Sequence, residues 1–104
     1  MVLTKLINSN FKLFMMAETR TRVVHCKKES YDVYIGRPSP WGNPFRIGKD
    51  GSREEVIEKY REWIYTQYHL IQAIPELKGK RLGCWCHPEP CHGDVLVQLA
   101  EEGV

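Results

Sequence analysis

A helix with a marked start lies between two segments that pattern as strands, Tyr31–Ile35 and Arg81–Cys86. Ser52 followed by Glu55 is a capping box. Val56, Ile57, Tyr60, Trp63 and Ile64 then recur at spacings of three and four, the apolar stripe of a helix that packs on a core. Strand, helix, strand is the order of a parallel pair joined by a right-handed crossover. The helix is expected to run to about Tyr68. Leu70 to Leu77 reads as a second short helix, interrupted near Pro75 and ended by Gly79. Thr21 to Cys26, centred on Val23 and Val24, reads as a further strand, close enough to Tyr31–Ile35 to pair with it as a hairpin. Val95 to Glu102 reads as the last helix, with Val95, Leu96 and Leu99 inward. The expected fold is α/β: a small single-layer mixed sheet flanked by helices, with one parallel crossover unit.

A chain of 104 residues implies one domain with a modest core. Residues 17–104 are read as that domain. Residues 1–16 are read as an N-terminal extension or a hairpin, with apolar runs on either side of Asn8-Ser9-Asn10. Their polar interruptions leave no continuous apolar core of a secretory signal. No apolar run approaches the ~20 residues of a membrane span. The four cysteines are therefore expected as reduced thiols in the cytoplasm of the producing or host cell. A formal charge of +2, without a basic stripe, gives weak support to nucleic-acid binding.

Parallel strands would bring Gly36-Arg37 and Cys86-His87 to the same edge of the sheet, so two unusual loops would face one cleft. One is the run Gly83-Cys84-Trp85-Cys86-His87-Pro88-Glu89-Pro90-Cys91-His92-Gly93-Asp94. Cys91 and His92 fall at the start of the last helix, where unpaired N–H groups favour negative charge. A thiol there is expected to have a lowered pKa, and the same N–H groups could hold an anion. Cys91, His92 and Asp94 are the candidate catalytic residues, for nucleophilic or acid–base work. The plainer reading makes Cys91 a small buried group and His92 a capping side chain.

The other loop, Gly36 to Arg46, is stiffened by Pro38, Pro40 and Pro44. Arg37 and Arg46 suit a phosphate or carboxylate. Trp41 and Phe45 suit a stacked base, and Asn43 a ring edge. Arg37, Ser39, Trp41, Asn43 and Cys86 form the candidate ligand-binding set. The plainer reading has Trp41 and Phe45 plugging the core and Asn43 supporting a turn.

The Cys-x-Cys-His-x3-Cys-His pattern also offers metal ligands: Cys84, Cys86, Cys91 and His92. Cys84 and Cys86 are expected on opposite faces of a strand, and the neighbours Cys91 and His92 are expected to diverge. No metal or other cofactor is therefore expected, with zinc as the alternative.

Tyr34-Ile35-Gly36-Arg37-Pro38-Ser39, Trp41-Gly42-Asn43-Pro44-Phe45, Leu82-Gly83-Cys84-Trp85-Cys86, Pro88 and Cys91-His92-Gly93-Asp94-Val95-Leu96 together carry a resemblance. From Val23 to Ala100 the chain resembles a family of small domains of unknown function from bacteria and their viruses. The resemblance implies that the two loops belong together; it implies no activity. The functional expectation is an enzyme or sensor acting on a nucleotide, nucleoside or modified base, a small anionic partner. One alternative is a zinc-stabilised binding module without catalysis. Another is a single-stranded nucleic-acid binder with Trp41 and Phe45 as platforms.

Overall fold

The computed structural model describes residues 20–103. The expected extension or hairpin at 1–16 lies outside them. The elements follow in the order β1 (Arg22–His25), β2 (Val33–Tyr34), helices α1 (Arg53–Ile64) and α2 (Tyr68–Ala73), β3 (Arg81–Cys84) and helix α3 (His92–Glu102). A 3-10 turn, Ile74–Leu77, continues α2.

The sheet order is β1–β3–β2, and both pairings are parallel. The α/β class and the parallel crossover from β2 to β3 stand as expected. The hairpin between the first two strands does not form, and the sheet is parallel rather than mixed. The central place goes to β3, whose Leu82, Gly83 and Cys84 are all buried. It is hydrogen-bonded on both edges: Cys26 N–H donates to Cys84 O and Ile35 N–H donates to Gly83 O, each at 3.0 Å.

Residues 26–32 must then carry the chain across β3. They begin in a turn on His25, whose carbonyl accepts from Lys28 and Glu29 at 3.0 Å. They end at Asp32, whose carboxylate accepts from Arg81 Nη2 at 3.0 Å and from the Arg81 backbone N–H at 2.8 Å. Between these ends Tyr31 lies on Gly83, where a Cβ would stand 2.7 Å from the ring carbon Cγ. A glycine inside the central strand is thus what lets the crossing segment lie close.

The capping box forms at Ser52 and Glu55. α1 stops at Ile64, short of the expected Tyr68, because Thr66 Oγ1 donates to Trp63 O at 2.6 Å and the chain restarts as α2. Tyr60 and Ile64 are fully buried with Leu82, Val95 and Leu96 in one core. α1 and α3 pack on each other, and α3 also packs on β1 and the 3-10 turn. Among the described residues no helix is long and apolar enough to cross a membrane.

Candidate functional site

A cleft of about 290 Å³ lies where β2 and β3 end. Gly36, Arg37, Asn43 and Phe45 line it from one loop, and Cys84, Trp85, Cys86, Cys91 and His92 from the other. Arg53 and Val56 of α1 form a third wall. The parallel β2–β3 pair thus brings the two loops together, as expected.

The start of α3 forms the floor. Cys91 is its N-cap: the sulfur accepts from Gly93 N–H at 3.3 Å, and the Asp94 carboxylate accepts from Cys91 N–H at 3.0 Å. Gly93 drives this turn into the core, since a Cβ there would stand 2.8 Å from both Ile35 Cδ1 and Val23 Cγ2. Asp94 is exposed, away from the cleft lining. Its expected catalytic place is therefore not met, because its carboxylate faces back along the helix to close the capping box.

His92 is buried and lines the cleft. Its Nε2 lies 2.7 Å from the Ile35 carbonyl oxygen. A carbonyl only accepts, so Nε2 carries the proton and Nδ1 of the neutral ring is a free lone pair. The ring meets Tyr60 edge-on, with centroids 4.9 Å apart. Burial pulls the imidazole pKa below its usual value.

The strand ends at Cys84, so Cys86 belongs to the turn. The two expected divergences, of Cys84 from Cys86 and of Cys91 from His92, both fail. Residues two apart would share a face even in a continuous strand rather than opposing each other. In addition, the extended backbone of Cys91 lets its side chain meet the ring of its helical neighbour (φ −152°, ψ 177°). The sulfurs of Cys84 and Cys91 and one ring nitrogen of His92 all lie within 4.8 Å of one another.

The two sulfurs titrate as a pair. A hydrogen bond from Cys91, together with the Cys86 backbone N–H, pulls the Cys84 thiol down to about 5. The same contact, with burial, pushes Cys91 up. The expected lowering at Cys91 thus moves to Cys84: one proton leaves easily, and the second is held by the charge the first leaves behind. Burial pushes Cys86 up, helped by Cys84. All four cysteines are free thiols.

The proline-rich loop contributes less than expected. Asn43 is buried and its side chain is engaged at both ends: Nδ2 donates to Val56 O at 3.2 Å and Oδ1 accepts from Phe45 N–H at 2.9 Å. It holds the loop on α1, with one Nδ2 hydrogen and one Oδ1 lone pair committed there. Trp41 packs on the core, its carbonyl accepting from Tyr60 Oη at 2.7 Å, and it does not line the cleft. Ser39 is a turn residue whose N–H donates to Gly36 O at 2.8 Å; its Oγ is buried without a partner and lies outside the lining. Arg46 is likewise outside it. Arg37 is exposed at the cleft and donates from Nη1 to Asn43 O at 3.0 Å.

Two further lining residues, Arg53 and Trp85, carried no functional expectation. Arg53 donates to Pro90 O at 3.1 Å, tying α1 to the cysteine turn. Trp85 is 54% exposed, donates from Nε1 to Tyr34 Oη at 2.9 Å, and has Lys27 Nζ 5.4 Å from its ring centroid. The capping box had put Arg53 at a helix start, and Trp85 sits inside the cysteine run. Their meeting with Arg37 needed the third dimension.

A family model described as "Domain of unknown function (DUF4326)" matches residues 19–102. The uncharacterized protein R718 of Acanthamoeba polyphaga mimivirus is 43% identical over 89 residues, with 68% of each chain covered. An uncharacterized 12.4 kDa protein in the nrdA-td intergenic region of Enterobacteria phage T4 is 41% identical over 83 residues, with 75% of each covered. No solved structure matches.

Proposed function

This chain belongs to the DUF4326 family of domains of unknown function, with uncharacterised viral relatives, and we propose that its cleft takes a nucleotide, nucleoside or modified base, as an enzyme or a sensor. The observation that carries this reading is the shared wall: Arg37 and Arg53 line the same cleft as Tyr34, Phe45 and Trp85. Guanidinium groups suit an anion and aromatic faces suit a ring. At about 290 Å³ the space matches a small molecule rather than a polymer.

The chemistry offered to such a ligand is that of Cys84, Cys91 and His92. A thiolate from the cysteine pair is a nucleophile, and the free Nδ1 of His92 is a base. Asp94 supports Cys91 and does not act on the ligand. Reduced thiols fit a cytoplasmic setting in the producing or host cell. The single-strand reading loses one of its two platforms, because Trp41 is packed on the core while Phe45 lines the cleft.

Thermal unfolding with phosphate and a panel of nucleosides and nucleotides tests the proposal. At least one should raise the melting temperature with rising concentration, by mass action. Arg37→Ala should remove most of that rise, whatever its effect on the free protein. Absence of any shift across the panel would refute the reading.

A further inference from the structure

Among the described residues, Cys84, Cys91 and His92 bring three ligand atoms within 4.8 Å of one another, and all three residues are buried. We propose that these residues bind a thiolate-seeking divalent metal ion, with zinc as the type, and leave a fourth coordination position open to the cleft.

The spacing suits the ion. With zinc–sulfur near 2.3 Å and zinc–nitrogen near 2.0 Å, ligand atoms around a tetrahedral centre stand about 3.5–3.8 Å apart. Small side-chain shifts bring the three atoms to that separation. Cys86 is not within 4.8 Å of all three, so it lies outside the set. Two sulfurs and an imidazole, without a carboxylate, select zinc-like ions over magnesium or calcium.

The surroundings of the three ligands are independent support. Metal-bound histidines nearly always donate their other ring N–H to a carbonyl or carboxylate. His92 does so to Ile35 O at 2.7 Å, which leaves Nδ1 for the ion. A thiolate ligand is steadied by backbone N–H donors, and Gly93 N–H donates to Cys91 Sγ at 3.3 Å.

Charge also balances. The ion replaces the two thiol protons, which leave to solvent, and bonds the neutral imidazole through its lone pair. Two thiolates neutralise a divalent cation, so the buried centre carries no net charge. Three protein ligands are fewer than a closed structural site has, and all three line the cleft. The fourth position thus faces the space where a water or a ligand atom would sit.

The inference does not rest on the ligand class proposed above, and a bound ion would take up the thiolates and the Nδ1 lone pair given there as nucleophile and base. Its test therefore uses the full chain, stripped of metal and titrated with cobalt(II) in buffer free of phosphate and nucleotides. One cobalt per chain should bind, giving thiolate-to-cobalt charge transfer and the strong visible bands of a four-coordinate site; zinc should displace it. Cys91→Ser keeps an N-capping oxygen and should stay folded by circular dichroism. It should weaken binding by more than about tenfold and reduce the charge-transfer band. His92→Gln should also weaken binding, while Cys26→Ser should not.

No charge transfer with the wild-type chain, or an undiminished band in folded Cys91→Ser, would overturn the site. Cys86→Ser decides the ligand count: a retained band supports three protein ligands, and a lost one overturns that assignment. A failed nucleotide panel beside a positive cobalt titration would sink only the nucleotide reading, and the reverse pattern only the metal site.

Discussion

His92 Nε2 lies 2.7 Å from the carbonyl oxygen of Ile35, so the first residue of α3 is bonded to the end of the segment that β2 begins. That contact joins the two loops from inside the core. It positions the ring, sets its tautomer and satisfies a carbonyl.

His92→Phe should cost about 1–3 kcal/mol in denaturant unfolding, because the Ile35 carbonyl is left buried and unpaired. The wild-type chain, with chelator present, should also lose stability as pH falls below about 6.5. Burial lowers the folded-state pKa of His92 from its usual 6.5, so the unfolded chain binds more protons in that window. Cys84 and Asp94 act against that lowering, while Arg37 adds to it. Stability against pH in His92→Phe should be flatter over the same interval. An equal slope in both proteins would place the titration elsewhere.

Gly93→Ala should destabilise by about 1–3 kcal/mol through overpacking. The new methyl would meet Ile35 and Val23, both held in the core, at 2.8 Å. Gly83→Ala meets the Tyr31 ring at a similar 2.7 Å, but Tyr31 is 43% exposed and has room to swing outward. The loss there should be smaller. Paired denaturation curves test the order, which reverses if the Tyr31 crossing is the stiffer of the two.

Asp94→Ala should lower stability by about 1 kcal/mol, the worth of a capping interaction. It should leave ligand-induced thermal shifts and cobalt affinity near wild type, because the carboxylate closes the capping box outside the cleft. Loss of ligand response with unchanged stability would return Asp94 to the chemistry.

Timed alkylation read by mass spectrometry should label Cys86 and Cys26 before Cys84 and Cys91. The first two are half-buried, and the second two are buried. Labelling of Cys84 and Cys91 awaits local opening, despite the easily lost proton of the pair. Added zinc should slow these two further. Fast labelling of Cys91 would restore the helix-start thiolate that its sequence position suggests.

The capped helix was legible at Ser52 and Glu55, and its buried face at Val56, Tyr60 and Ile64, because local hydrogen bonds and period are written in neighbouring residues. The strand-to-helix cysteine turn was legible for the same reason. The shared cleft followed from one further step, the parallel pairing that a helix between two strands requires. Strand order was not legible: residues 26–32 look like a hairpin turn, and only Gly83, adjacent in space but far along the chain in β3, explains how they cross.

The amino-acid sequence by itself determined which segments are helix or strand and which loops carry reactive side chains, since those properties rest on short-range period, capping and composition. Tertiary structure alone decided what each reactive group does. Asn43 and Trp41 are anchored on α1 and the core, and Asp94 on its own helix. Cys84 comes to Cys91 and His92 from a different element. A side chain's free lone pairs and thiol acidity depend on the partners that packing supplies, and those partners are distant in sequence.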